Sequence, residues 1–165
     1  MIFYNTGDRL DAKEYLTDWL EKLIKSKDVF HKTIVSIEKK DYGLYVKHKG
    51  KEKMFFVEAF VSNFSGLLKV LKKNSGNKWV SLVVVNNKGN FKLIIKNWKQ
   101  LVGLGPQFSI YFVNPFSLLD KKWIIFPSTH HKIADSESFE KGLKSMFSMV
   151  DGIGEKDFEK SINNT

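Results

Sequence analysis

The chain has 165 residues, of which 42% are hydrophobic and 14% aromatic, so it can form a packed domain and is not disordered by composition. It contains no cysteine, which excludes disulfides, cysteine-ligated zinc and thiol nucleophiles. Lysine and arginine number 27 against 18 acids, and the net charge of +9 favours polyanionic partners, nucleic acid first. Because Arg9 is the single arginine, such contacts rely on lysine, which suits phosphate better than base edges.

Targeting and membrane signals are weak throughout the sequence. Residues 1–10 lack the apolar core of a signal peptide. The longest apolar run, around residues 83–85, is too short to cross a bilayer. We therefore expect a cytoplasmic protein without membrane contact, which could form a homo-oligomer.

The first third of the chain predicts one helix and three strands. Asp11 and Glu14 form a capping box before an apolar stripe, which predicts a helix that ends near Lys27. Two short strand-like segments on either side of a turn with Asp and Gly predict a hairpin. A third segment has apolar residues on both faces, which predicts a central strand. These strands span residues 33–39, 44–49 and 53–61.

The rest of the chain alternates between strand and helix patterns. Two nearly continuous apolar runs are typical of buried strands, and the segments around them have apolar residues at helical spacing. Asn63, Asn90 and Asp135 or Ser136 are placed to cap the helices. The predicted strands are residues 79–85, 108–113 and 123–126, and the predicted helices are 64–73, about 90–102 and about 136–150.

The predicted order is therefore α-β-β-β-α-β-α-β-β-α. An antiparallel start followed by alternating strands and helices predicts a three-layer α/β/α domain with a mixed central sheet. We expect this single domain to cover residues 1–152, with a polar, frayed tail at residues 153–165.

The element order over residues 11–113 resembles the restriction-endonuclease-like fold of archaeal Holliday-junction resolvases and RecB-type nucleases. In that family, an acid on the second strand and an acid-x-lysine on the third bind Mg²⁺ or Mn²⁺, and the lysine positions the attacking water. Here Glu58 occupies the position of the motif acid, but Phe60 stands where the lysine belongs. The resemblance thus implies a degenerate nuclease site, with weak or no metal-dependent phosphodiesterase activity.

Other residues can be assigned to that implied site. Lys69, on the next helix, would replace the missing lysine beside Glu58 as a catalytic residue. Glu38, on the first strand, or Asp41, in the hairpin turn, would be the second metal ligand. Glu38 shares its face with Ile34, so it could face Glu58 if the first and third strands lie near each other.

Lysines on two predicted helices are candidate nucleic-acid contacts. Lys92, Lys96 and Lys99 recur at helical spacing and form one basic ridge opposite the apolar stripe. Lys72 and Lys73 form a second cluster with Lys69. A solvated outer helix face gives the same pattern, so the ridge alone does not decide between the two interpretations.

Two further functions remain open. Asn86 and Asn114 follow buried strands, and His130 and His131 lie in a predicted loop, so these residues could line a ligand cleft of a small-molecule enzyme. Alternatively, Trp79, Trp123 and the aromatic run at residues 108–116 could cover a partner surface in a non-enzymatic interaction module.

Overall fold

A computed structural model describes residues 11–165, except for the side chains of Ser136 and Glu137. The expectation that no signal peptide is present concerns residues 1–10, and these residues lie outside the part of the chain that the structure describes. In the described part, no helix combines the length and the apolar character needed to cross a membrane.

Six strands form one mixed sheet in which they lie side by side in sequence order. The strands are β1 (Ile34–Lys40), β2 (Gly43–His48), β3 (Lys51–Val57), β4 (Trp79–Val85), β5 (Phe108–Val113) and β6 (Lys122–Ile125). The pairs β1–β2 and β2–β3 are antiparallel, the pairs β3–β4 and β4–β5 are parallel, and the pair β5–β6 is antiparallel. The predicted mixed sheet is thus confirmed, with β4 and β5 in its interior.

Residues 11–165 also form seven helices, three more than the sequence predicted. They are α1 (Ala12–Asp28), α2 (Phe64–Asn74), α3 (Lys88–Lys96), α4 (Trp98–Val102), α5 (Pro127–Ile133), α6 (Ser136–Ser148) and α7 (Glu155–Asn163). The α/β class is confirmed, while the helices after β4 are more numerous than the pattern indicated.

Side chains alternate along the strands and build a hydrophobic cluster on each face of the sheet. Phe56, Leu82 and Ile110 belong to the cluster that packs against α2, α3, α4 and α6. Val57 and Val83 belong to the other cluster, which packs against α1 and α7. Helices therefore cover both faces of the sheet.

The aromatic run that suggested a partner surface lies largely inside this chain. Phe108 is 1% exposed and Trp123 is 4% exposed, and the Trp123 indole stacks on Phe112 with ring centroids 4.2 Å apart. Trp79 differs because it stays half-buried at the start of β4.

The frayed tail predicted for residues 153–165 is wrong, because residues 155–163 form α7. Phe158 is fully buried and packs edge-on against Phe60 and Phe116, at centroid distances of 5.7 and 5.4 Å. Ile162, one helical turn later, joins the same cluster. Two apolar side chains four residues apart are enough to dock a short helix that otherwise appears polar.

The helix predicted from Asn90 to Val102 is divided in two. Its N-cap is Asn87, whose side chain accepts hydrogen bonds from the backbone of Gly89 and Asn90. Asn97 interrupts it, since its Nδ2 donates to the Leu93 oxygen at 2.8 Å and its backbone leaves the helical region.

Gly43 begins β2 at a position where a side chain has no room. Its φ is +148°, and a Cβ would lie 2.2 Å from the Phe55 oxygen. We expect Gly43→Ala to lower the free energy of unfolding by about 3 kcal/mol, from backbone strain together with the displaced strand pairing. Gly50→Ala is the matched control, because Gly50 also has positive φ but has open space around it. Urea denaturation of both variants measures the difference, and equal losses would contradict the steric explanation.

Candidate functional site

Glu58 lies just beyond β3 and not within a strand, contrary to the prediction that the strand runs to residue 61. Its backbone nitrogen still donates to the Val83 oxygen at 3.0 Å, so it remains beside β4. The side chain is half-buried. Within the described part of the chain, its carboxylate has no hydrogen bond or ion pair.

The structure does not bring the implied nuclease acids together. Glu38 lies opposite Tyr45, which lies opposite Met54, four residues before Glu58. Four residues of strand correspond to roughly 13 Å, in addition to the two strand spacings. Asp41 is exposed in the hairpin turn.

The remaining contacts of this region are also unlike those of a metal centre. Glu38 Oε2 lies 2.8 Å from Lys40 Nζ, and this hydrogen bond lowers the pKa of Glu38. Lys69 is exposed on α2. Among residues 11–165, no group of three or more His, Asp or Glu side chains could hold a metal ion.

The predicted basic ridge is split by the break between α3 and α4. Lys92 and Lys96 lie on α3, Lys99 lies on α4, and all three are exposed. Lys72 and Lys73 are exposed near the end of α2. These lysines remain candidate contacts, although they are spread over separate helices.

Asn86 and Asn114 do not line an open cleft, because the chain itself covers the carboxyl ends of β4 and β5. Asn86 is fully buried, and its Nδ2 donates to the oxygens of Phe147 and Val150 at 3.1 and 3.0 Å. Asn114 Nδ2 donates to the Asp151 oxygen at 2.8 Å. The segment 147–153 therefore occupies the place where the sequence predicted a ligand.

His130 and His131 lie on α5, so the predicted loop is wrong. Pro127 stands in the first turn of this helix, where its missing N–H costs nothing. His130 Nδ1 lies 3.0 Å from the Phe126 oxygen, and His131 is exposed. His130 borders an apolar cavity of about 420 Å³, which is also lined by Trp123, Phe139, Leu143 and Met146.

A different cavity combines charge with aromatic surface. It has a volume of about 300 Å³, and the residues that line it come from the end of α1, the α1–β1 turn, and strands β1, β2, β3 and β5. We call it the basic recess. Its principal lining residues are Lys27, Thr33, His48, Lys53, Phe55 and Tyr111.

Lysines dominate the electrostatics of the basic recess. Burial lowers the pKa of Lys53, and the neighbouring Lys51 lowers it further. The pKa of Lys27 is also lowered, first by burial and then by the positive charges of Lys122 and Lys53. Within the described part of the chain, Lys27, Lys53 and Lys122 form no ion pair. The ammonium group of Lys27 is thus repelled by those of Lys122 and Lys53, and no carboxylate pairs with any of the three lysines.

Asp28 organises the turn that leads into the recess. Its carboxylate accepts hydrogen bonds from the Thr33 nitrogen at 2.8 Å, the Thr33 hydroxyl at 2.7 Å and the Ile34 nitrogen at 3.0 Å. Desolvation opposes ionisation, but these bonds outweigh it and lower the pKa of Asp28. They also hold Lys32 in a left-handed conformation with φ of 48°.

The same turn orients His48. Its Nδ1 lies 3.0 Å from the Thr33 hydroxyl oxygen. Because that hydroxyl has one proton and donates it to Asp28, His48 Nδ1 is the donor to Thr33. Burial lowers the pKa of His48, and Lys53 and Lys51 lower it further, so the neutral imidazole is favoured.

Aromatic side chains share this face of the sheet. Lys53 pairs with Trp79 across β3 and β4, and the Lys51 and Lys53 Nζ atoms lie 5.2 and 5.8 Å from the Trp79 ring centroid. Tyr111 packs edge-on against Phe55, with centroids 5.9 Å apart. We call the recess together with Trp79, Lys51 and Lys122 the basic surface.

Sequence reasoning did not find the basic surface. Its residues come from one helix and all six strands of the sheet, and Lys27, Lys53 and Lys122 are far apart in the chain. One signal was present: Lys51, Lys53 and Phe55 alternate, so they lie on one face of β3. The strand register that adds Trp79 is a tertiary feature.

Comparison of the chain with protein-family models, curated proteins and solved structures found no match.

Proposed function

We propose that the chain binds nucleic acid through the basic surface. The observation that carries the proposal is the group formed by Lys27, Lys53 and Lys122, three lysines without acidic partners, beside aromatic rings on the face of the sheet. Like charges held together destabilise the folded protein, and a bound phosphate relieves that repulsion. This arrangement resembles sites that combine lysine contacts to phosphate with aromatic faces for bases.

Lysine chemistry also limits the kind of recognition. Ammonium groups bind phosphate as point charges, so we expect little discrimination between base sequences. Trp79 is half-buried and partly covered by lysine, which leaves its indole able to contact a base or sugar. The proposed interaction is therefore sequence-tolerant and strongly dependent on salt.

Metal-dependent cleavage does not enter this proposal, since Glu58, Glu38 and Asp41 lie apart. The resemblance to restriction-endonuclease-like proteins is proposed only at the level of element order. A cytoplasmic location is likewise proposed, because nucleic acid and a cysteine-free composition suit that compartment.

Binding is tested by fluorescence anisotropy with single-stranded and duplex oligonucleotides at increasing salt. We expect measurable affinity at low salt and a log–log slope of about −2 or steeper, since three lysine–phosphate contacts each contribute about −0.7 to −0.9. Absence of binding at low salt would refute the proposal.

The same titration decides between the basic surface and the helical lysines. Replacing Lys92, Lys96 and Lys99 together with methionine should change the salt slope by less than about one unit, if those residues are an ordinary solvated face. A loss of two or more units would instead place the interface on α3 and α4.

A further inference from the structure

The basic recess is a small cavity that is open to solvent, and its size limits what it can hold. Its volume of about 300 Å³ lies at the lower end of the range of roughly 300–1,000 Å³ found for small-molecule sites. That space suits one nucleotide unit better than a continuous stretch of strand. Apolar surface comes from Ile24, Phe55 and Tyr111, and polar groups come from Lys27, Lys53 and His48.

We propose that the recess binds the phosphorylated end of a nucleic-acid strand. The terminal phosphate would lie beside Lys27 and Lys53, and the terminal base would lie against Tyr111, which packs on the buried Phe55. This inference rests on the proposed function and specifies which part of the nucleic acid the site recognises.

Charge balance distinguishes a terminal phosphate from an internal one. A phosphomonoester carries a charge of about −1.5 to −2 at neutral pH, whereas each internal phosphodiester carries one negative charge. The charges that lower the pKa of Lys27 are those of Lys122 and Lys53, both positive, and they outnumber the Asp28 carboxylate that also lines the recess. A nearly dianionic group therefore offsets more of the repulsion in the recess than a diester does.

Asp28 also lines the recess, but it forms no ion pair with the lysines there. Its carboxylate instead accepts three hydrogen bonds from Thr33 and Ile34. The His48 Nδ1 proton is directed to Thr33, so Nε2 is an acceptor in the neutral imidazole and donates to a phosphate only when the ring is protonated. The turn thus places a titratable imidazole beside the lysines.

Tyr111 provides an aromatic contact for the terminal base. Its half-buried ring packs edge-to-face, at an angle of 85°, on Phe55, which is 3% exposed, so the accessible ring surface in the recess is that of Tyr111. A base at the end of a strand has one face free of stacking, and contact with aromatic rings covers it at little cost. An internal base in a duplex would first have to be unstacked.

The test compares oligonucleotides of about twelve nucleotides and one sequence, with a 5′-phosphate, a 3′-phosphate or hydroxyl groups at both ends. At about 100 mM salt, we expect one phosphorylated form to bind roughly five- to tenfold more tightly, as one more neutralised charge predicts. The two phosphorylated arms show which end is recognised. Equal affinity of all three oligonucleotides would overturn the inference, yet salt-dependent binding would still support the proposed function.

Two variants and a control locate the effect. Lys53→Met and, separately, Lys27→Gln should remove the preference for a terminal phosphate. Replacing the exposed Lys132, Lys141 and Lys144 with methionine removes more charge elsewhere and should preserve that preference. Lys27 is exposed, so its variant keeps the test valid if Lys53→Met fails to fold. Retention of the preference in Lys27→Gln and in any folded Lys53→Met protein would place terminal-phosphate recognition outside the recess and overturn the inference.

Discussion

Replacement of Asn86 with alanine is expected to lower the free energy of unfolding by about 3–5 kcal/mol. Asn86 is fully buried, donates to the oxygens of Phe147 and Val150, and accepts from Trp123 Nε1 at 2.8 Å. Alanine leaves two buried groups, Trp123 Nε1 and the Val150 oxygen, without this partner, whereas the Phe147 oxygen still accepts from the Val150 nitrogen at 3.4 Å. Each unsatisfied group costs about 1–3 kcal/mol. The variant also removes two of the hydrogen bonds that hold the segment covering the carboxyl ends of β4 and β5.

Asn87→Ala is the matched control for that experiment. Asn87 is half-buried, caps α3 and donates to the Ile153 oxygen at 3.1 Å. Loss of such a cap costs about 1 kcal/mol, so the effect should be clearly smaller. Denaturant unfolding monitored by tryptophan fluorescence measures both variants. If the two losses were similar, the Asn86 side chain would not be the main anchor of the segment 147–153.

The contrast between Asn86 and the strands around it shows how far the sequence could predict this fold. Residues 79–85 and 108–113 are continuous apolar runs, and such runs are buried in almost any α/β arrangement, so their position in the sheet was predictable. The location of Asn86 at a strand end was also correct. Its role was missed because the groups it binds lie 61 and 64 residues later in the chain.

The basic surface was missed for a related reason. Helical spacing makes Lys92, Lys96 and Lys99 conspicuous in the sequence, but it reports only that one helix face is exposed. Lys53 is less conspicuous, because a lysine in a strand usually points to solvent. Burial and the proximity of Lys27 arise only when α1 packs on the sheet.

Replacement of Lys27, Lys53 and Lys122 together with methionine is expected to weaken nucleic-acid binding about a hundredfold at about 100 mM salt. Three lost phosphate contacts flatten the salt slope by about two units, and at that salt concentration each unit corresponds to about a factor of ten in affinity. Lys132, Lys141 and Lys144 provide the charge-matched control, and their replacement should change affinity by much less. A similar loss in both triple variants would show that net charge, and not the basic surface, governs binding.

The same three substitutions should stabilise the folded protein, which separates a binding site from a structural one. Because burial and like charges lower the pKa of Lys53 below its usual 10.5, the folded state disfavours the protonated lysine. That penalty is fully present below the folded-state pKa and disappears as pH rises from there towards 10.5. The variant should therefore exceed the wild type in unfolding free energy at pH 7, and the difference should narrow at about pH 10.

Other lysines also change the stability over this pH range. Asp18 and Glu38 raise the pKa values of Lys39 and Lys40, whose contribution to the stability of the folded state is lost as pH rises. The variant must therefore be compared with the wild type at the same pH. Urea unfolding of both proteins at pH 7 and pH 10 measures the difference in unfolding free energy. A variant that is less stable than the wild type at pH 7 would mean that these lysines support the fold.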